Sequence, residues 1–304
     1  MKIGTINFMG IRNFAFALTM ILTLIALGSW FFKGLNFGLD FTGGSQIELS
    51  YDKPADLGQV REQLAAAGYA DAVVQNFGAT TDVVVRLQGD DPQLGNKVAS
   101  VLQAASGGNS LQVKKVEYVG PAVGEELRDQ GGLGMLLALG GILIYVAFRF
   151  QWKFAVGAIA SLVHDVVVTM GILSFFQITF DLTVLAAVLA IIGYSLNDTI
   201  VVFDRVRENF RVLRKANLIE NINISTTQTL LRTIATSVST LLAIIALLVF
   251  AGDNLWGFSI ALFVGVLAGT YSSIYIANVV LIWLNLTSED LIPPAVSEEV
   301  DERP

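Results

Sequence analysis

Apolar residues gather in six long runs, at 14–32, 132–148, 154–176, 182–204, 226–250 and 255–285, with one long polar stretch, 33–131, between the first two. At 1.5 Å per residue the first run covers ~28 Å, enough to cross the hydrocarbon core of a bilayer. The pattern predicts six transmembrane helices. The run 255–285 exceeds what a bilayer needs and must tilt or protrude. Lys2 and Arg12, in the segment 1–13, precede the first run. Ser29-Trp30-Phe31-Phe32-Lys33 closes it with no small-x-small cleavage pattern, so it is expected to stay as an anchor.

Six spans place both termini on one side, and the basic residues say which. Lys2, Arg12, Arg149, Lys153, Arg205, Arg207, Arg211, Arg214, Lys215 and Arg232 fall on one side, while the short links around Asp181 and Asp253 hold no Lys or Arg. The termini, the basic loop 205–225 and the acidic tail 286–304 are therefore expected in the cytoplasm. The tail is expected to be disordered. The polar stretch then lies outside, which in a bacterium is the periplasmic face of the inner membrane.

Within that stretch the hydrophobic period changes four times. Residues 46–51 alternate as a strand, and Leu57, Val60, Leu64 and Ala67 have helical spacing. Strands are predicted at 73–77 and 82–87 across a Gly-Ala-Thr-Thr turn, a helix at 94–105 and a last strand at 111–119. The order is β-α-β-β-α-β, that of a ferredoxin-like α+β domain, a fold that hosts many functions. Its carboxylates are scattered, and no catalytic constellation stands out.

Composition narrows the class further. The chain is 54% hydrophobic and 15% charged, too apolar for an ordinary soluble protein, and the formal charge of −7 offers no basic footprint for nucleic acid. Cysteine is absent and histidine occurs once, which excludes disulfides, thiol catalysis and a multi-histidine metal cage. No cofactor is expected.

Polar groups inside the spans carry the candidate chemistry. A carboxylate in hydrocarbon costs at least ~2.5 kcal/mol on insertion scales, so each one sets a functional hypothesis. His164 and Asp165 sit near the middle of the third span, about 100° apart on the helix, where they serve either a local polar cluster or a proton path. Asp198, preceded by Asn197, lies ~7.5 Å inside the boundary of the fourth span at Phe203. Arg232, two residues before the apolar part of the fifth, can snorkel to reach it. Asp198 with Arg232 is the preferred pair, either as a static ion pair or as a carboxylate that holds or releases a proton as the arginine moves.

Asp204, Arg205, Arg207 and Glu208 stand at the boundary as interfacial anchors and ion pairs. Thr226, Thr227, Thr229, Thr233, Thr236, Ser237, Ser239 and Thr240 make the start of the fifth span rich in hydroxyls suited to interhelical hydrogen bonds. In the sixth span Gly257, Ala261, Gly265, Gly269, Ser273 and Ala277 recur every four residues, a narrow ridge for close helix packing.

Four stretches also match a known pattern. Gly38-Leu39-Asp40-Phe41-Thr42-Gly43-Gly44 after the first span, Val119-Gly120-Pro121-Ala122-Val123-Gly124 before the second, His164-Asp165 in the third and the stretch from Gly193 to Asn209 in the fourth resemble the SecF family. These are RND-like membrane subunits of the bacterial SecD–SecF protein-export complex. The resemblance covers essentially the whole chain and points to the separate subunit rather than a fused form. It implies partnership with a SecD-type subunit and the SecYEG translocon, an unfolded preprotein on the periplasmic side, and use of the proton-motive force in late export. It also makes Asp198 the proton-responsive carboxylate and Arg232 its partner, with no enzymatic activity.

Two other classes compete. An RND-like small-molecule exporter half shares the span pattern. An intramembrane aspartyl protease would use Asp165 and Asp198, but such proteases carry Tyr-Asp and Gly-x-Gly-Asp contexts, and here depths differing by ~7.5 Å disfavour a shared water.

Overall fold

A computed structural model describes residues 4–77, 79–106, 109–213, 216–252, 255–287 and 290. A 3-10 turn at Phe8–Ile11 leads into α1 (Arg12–Lys33), followed by β1 (Asn36–Phe37) and the short α2 (Leu39–Thr42). Then come β2 (Gly44–Tyr51), α3 (Leu57–Ala66), β3 (Val73–Phe77), β4 (Ala79–Leu87), α4 (Leu94–Ala105) and β5 (Leu111–Val119). The remainder is helical: α5 (Pro121–Arg149), α6 (Trp152–Phe175), a two-residue β6 (Thr179–Phe180), α7 (Leu182–Val212), α8 (Leu218–Phe250), α9 (Trp256–Ile274) and α10 (Ile276–Trp283). Six helical segments are long and apolar enough to cross a membrane.

β2 to β5 form one antiparallel sheet in the order β3-β4-β2-β5. Strand alternation decides what it buries. Ile47, Leu49 and Tyr51 of β2 face the same side as Val83, Val85 and Leu87 of β4, and pack there with Val60 and Leu64 of α3 and Val98 and Leu102 of α4. Registering Ile47 with Val85 and Leu49 with Val83 keeps these side chains on one face. Gln46 and Arg86 are left on the face without helices.

Two glycines join this domain to the helices. Gly43 and Gly44 have φ of +65° and +105°, where a side chain is strained. Space forbids one as well: a Cβ on Gly44 would lie 2.2 Å from the Leu87 carbonyl oxygen, and one on Gly43 2.9 Å from Pro121 Cα. The start of α5 packs against this turn, since a Cβ on Gly124 would lie 2.8 Å from the Gly43 nitrogen. Nearby, β1 pairs in parallel with β6, Asn36 opposite Thr179 and Phe37 opposite Phe180.

The bundle has an inner and an outer part. Over their most apolar 18 residues, 61% of α6 and 56% of α7 is buried, against 6% of α5 and 17% of α8, so the last two lie on the outside. α7 and α9 run side by side in one direction. Gly257 faces Val184, Gly265 faces Ile191 and Gly269 faces Ser195, while Ala261 is fully buried. A second close contact sets Gly171 of α6 against Ala26 of α1.

Several expected boundaries shift. The helix of the second span starts at Pro121, well before 132, because Gly120 and Pro121 provide a ready helix start and the turn at Gly43 supports it. Most of the expected loop 205–225 is helical: α7 continues to Val212, and Asn217 starts α8 by accepting the Glu220 N–H at 2.9 Å. Asn209 Nδ2 then donates to Ser225 Oγ and Gln228 Oε1 at 2.8 and 3.0 Å, tying the two extensions together. The sixth span is interrupted at Tyr275 rather than continuous. Asn278 Nδ2 donates to the carbonyls of Ser273 and Ile274 at 3.2 and 2.8 Å and satisfies the oxygens that the break frees. Arg214, Lys215, Asp253, Gly78 of the expected turn, and the tail except Leu286, Thr287 and Asp290 lie outside the described residues.

The close helix contacts give a direct test. Gly171→Ala would place a methyl 2.4 Å from Ala26 Cα, so the helices must separate, and a loss of ~1–3 kcal/mol is expected in reversible unfolding of the purified chain. Gly193→Ala, whose methyl meets open space, is expected to raise stability by up to ~1 kcal/mol.

Candidate functional site

Asp198 occupies the middle of α7. Its carboxylate is buried, and among the described residues Oδ2 has no hydrogen-bond partner. The hydroxyls of Thr199 and of Thr233 on α8 are likewise buried and unpartnered. Arg232 does not close an ion pair with Asp198. It is exposed on α8, next to the inward-facing Thr233, and is the cation whose charge acts on Asp198 from beyond ion-pair distance. Asn197 is exposed on the opposite side of the helix backbone from the core, so it does not join the carboxylate.

One turn earlier on α7, Ser195 belongs to a different cluster. Asp165 of α6 is fully buried, and its Oδ1 lies 3.0 Å from His164 Nδ1. Its Oδ2 accepts from Ser195 Oγ and, at 2.6 Å, from Ser272 Oγ of α9, which in turn accepts from Ser161 Oγ at 2.8 Å. His164 and Asp165 thus bond each other directly, although adjacent helical positions diverge. His164 also sits beside the Tyr271 ring, and its Nε2 is buried without a partner. The contact of Ser195 with Asp165 places Asp198 only ~4.5 Å further along α7, less than the ~7.5 Å expected from span boundaries. The antiparallel α6 and α7 are offset, which run ends alone do not reveal.

α8 contributes hydroxyls from one stripe. Thr226, Thr229, Thr233 and Ser237 are buried at helical spacing, and Ser237 Oγ meets Tyr194 Oη at 3.2 Å and Thr270 Oγ1 at 2.7 Å, linking α7, α8 and α9. Thr227, Thr236, Ser239 and Thr240 lie off this stripe.

At the end of the bundle away from the sheet, charges pair in ways that linear distance conceals. Asp204 receives both contacts of Arg149 Nη2, at 2.6 and 2.8 Å, and lies 3.5 Å from Arg207, while Arg205 pairs with Glu208 at 2.9 Å. Both Arg149 and Arg207 stand over the Phe150 ring, at 4.9 and 5.8 Å. Lys153 holds Asp290 at 2.6 Å, and that bond keeps the carboxyl below its ordinary range. Among the described residues no three His, Cys, Asp or Glu side chains group as a metal site.

At the sheet end, the glycine-rich signature reaches the start of α7. Gly38 N–H donates to the Phe180 carbonyl at 2.8 Å, and Thr42 Oγ1 donates back to the Gly38 carbonyl at 3.1 Å. Phe41 is buried, stacked on Phe180 with centroids 5.8 Å apart. Asp40 Oδ2 accepts the Leu182 N–H at 3.0 Å, and Asp181 Oδ1 accepts that of Val184 at 2.8 Å, so two carboxylates satisfy the free N–H groups at the head of α7.

Comparison with known proteins settles the family. The model of the protein export membrane protein SecD/SecF C-terminal region matches residues 97–287, and that of the SecD/SecF GG motif matches residues 28–55. Protein translocase subunit SecF of Pseudomonas aeruginosa is 78% identical over 303 residues, covering 100% of this chain and 99% of its own. The chain belongs to the SecF family. SecF of Escherichia coli O157:H7 is 42% identical, covering 98% of this chain and 94% of its own. The crystal structure of SecDF from Thermus thermophilus, a translocon-associated membrane protein, superposes with a TM-score of 0.83 at 39% identity. That match covers 93% of this chain and 39% of the SecDF chain. A SecDF structure in a super-membrane-facing form gives 0.67 at 39% identity, covering 92% of this chain and 39% of its own. With six apolar helices, this SecF-family chain is a multi-pass inner-membrane protein.

The Asp165 cluster is testable by itself. Ser195→Ala and Ser272→Ala each remove a donor from a buried carboxylate oxygen, and each is expected to cost ~1–3 kcal/mol in unfolding measurements. Their combined cost should depart from the sum, because both hydroxyls serve one oxygen.

Proposed function

We propose that this chain is the proton-responsive SecF subunit of an export complex, with Asp198 as the group that takes up and releases a proton. The observation that carries the reading is the buried Asp198 carboxylate, whose Oδ2 lacks a hydrogen-bond donor and toward which Arg232 is the available cation. A carboxylate in that position must bind a proton or gain a cation, so approach or withdrawal of Arg232 exchanges the two states. Asp165 is the contrasting case. Two hydroxyls and His164 already satisfy it, which suits a fixed strut beside the switching group or an accessory proton site.

The partner is a SecD-type subunit, seated on the helices that this chain leaves uncovered. α5 and α8 flank a stripe of exposed small residues on α7, Ala186, Ala190, Gly193 and Asn197, which admits a close-packed neighbouring helix. The SecDF match supports this, since the present chain corresponds to 39% of a chain that carries both subunit names. The β-α-β-β-α-β domain is ferredoxin-like and periplasmic, and both termini are cytoplasmic. This orientation follows from the basic ends of the helices. The complex uses the proton-motive force to promote late steps of preprotein export beside the SecYEG translocon.

The function is not enzymatic in this reading. Asp165 and Asp198 share no hydrogen bond, so they do not form the paired carboxylates of an aspartyl protease. An exporter half would instead show itself by dye or drug movement in vesicles containing the chain without SecD.

Asp198→Asn tests the proposal. Insertion and co-purification with SecD are expected to be unchanged, while proton-dependent stimulation of export in inverted vesicles is lost. Undiminished stimulation would remove Asp198 from the coupling.

A further inference from the structure

Arg86 projects from β4 on the face of the sheet without helices, and its guanidinium bonds in three directions. Nε donates to Gln46 Oε1 on β2 at 3.0 Å. Nη1 donates to Asn36 Oδ1 at 3.0 Å and to the Phe37 carbonyl at 3.3 Å, both in β1. Nη2 donates to Thr179 Oγ1 in β6. Asp181, the cap of α7, is close enough for its charge to act on the same group. Asn36 widens the joint, with Nδ2 donating to the Gln177 carbonyl at 2.7 Å and to Gln75 Oε1 at 3.3 Å.

This is a thin joint between two larger bodies. A cleft of about 720 Å³ opens around it between the sheet and the turn before α7, lined by Gln46, Gln75, Gln177, Thr179 and Trp256 among others. The sheet itself meets the turn through a few directed bonds from Arg86, beside the aromatic cluster of Phe37, Phe41 and Phe180, and directed bonds of this kind can be remade in a second orientation. A guanidinium suits the task because its rigid fork presents donors in several fixed directions at once, which an ammonium does not.

What the joint holds is the head of α7. Thr179 and Asp181 adjoin Leu182, whose N–H is accepted by Asp40, and from there α7 runs as one uninterrupted helix of 31 residues through Asp198. Asp198 lies ~24 Å along it, and a rigid helix with two arrangements can carry coupling over such a distance.

We propose that Arg86 is the positioning residue that couples the β-α-β-β-α-β domain to α7, so that domain orientation and the state of Asp198 change together. The inference rests on the role of Asp198 given above.

The absence of cysteine allows a clean measurement. Spin labels at Lys97→Cys on the domain and Phe32→Cys at the end of α1 report the distance between the two bodies in the reconstituted complex with a cysteine-free SecD. Asp198→Asn is expected to shift that distance. With Arg86→Gln the distribution should broaden and no longer respond to Asp198→Asn, and proton-driven stimulation should fall about 10-fold. Amide-exchange protection of the domain and yield of the complex should stay unchanged. Arg86→Lys should behave like Arg86→Gln, because it keeps the charge and loses the fork. A distribution as narrow as the unmodified one in Arg86→Gln, or a full Asp198→Asn shift in that background, overturns the role of Arg86 and leaves Asp198 standing. No shift from Asp198→Asn in the unmodified background overturns the assignment of Asp198 and the coupling with it.

Discussion

A carboxylate surrounded by hydrocarbon and helix has no water to solvate it, and the bundle answers that constraint in two ways. Asp165 is surrounded: His164 on its own helix, Ser195 from α7 and Ser272 from α9 leave neither oxygen without a partner. Three helices are thereby pinned at one level, and the small side chains of the α9 ridge let α7 approach closely enough for that pinning. Asp198 is left open. Its neighbours on α7 and α8 supply hydroxyls that do not reach it, and the nearby cation stands outside bonding range. One site can hold a structure together because it is complete, and the open oxygen of the other suits the change of state proposed for it.

The same contrast separates the two ends of α7. At the sheet end the contacts are closely made: Asp40 and Asp181 take up free N–H groups, Gly38 bonds to Phe180, and Gly43 and Gly44 allow approaches that any side chain would block. A signature dense in glycine is thus a consequence of geometry, since a strand, a short helix and the head of α5 converge on one point. At the opposite end, ion pairs such as Arg149 with Asp204 fix the helices laterally in a partly exposed layer, where each contributes modestly.

Much of this was legible in the residues, and the rest was hidden for physical reasons. Length and hydropathy reveal an apolar helix because its period is repeated over many residues, and the six runs correspond to six candidate spans. They do not reveal where a helix stops once it leaves hydrocarbon, so α5 and α7 extend past the predicted ends at 132 and 204, to Pro121 and Val212. Elements of two to four residues, such as α2, β1 and β6, have no period to detect and exist only through their partners. Buried ionisable residues announced themselves by type, which singled out His164, Asp165 and Asp198. Their partners did not: Ser195, Ser272 and Arg149 are ordinary in sequence and gain meaning only when other helices bring the charge to them. Arg86 was the least legible, being one of several basic residues on alternating strands until the turn before α7 was placed against it.

Arginines from two other elements act on α7 at two points along its length, Arg232 of α8 and Arg86 of β4. Near the middle of α7, Arg232 acts as a charge, and only its distance from Asp198 matters, because a carboxylate in a low-dielectric site responds steeply to a cation. At the head, Arg86 acts through direction, and only the geometry of its fork matters, because its acceptors are mostly neutral oxygens on three separate segments. A displacement that costs little charge energy at the head therefore changes a large one at the centre, provided that α7 moves as a unit. The absence of a break between Leu182 and Val212, where the sixth span is interrupted at Tyr275, is what suits α7 to the proposed role of transmitting element.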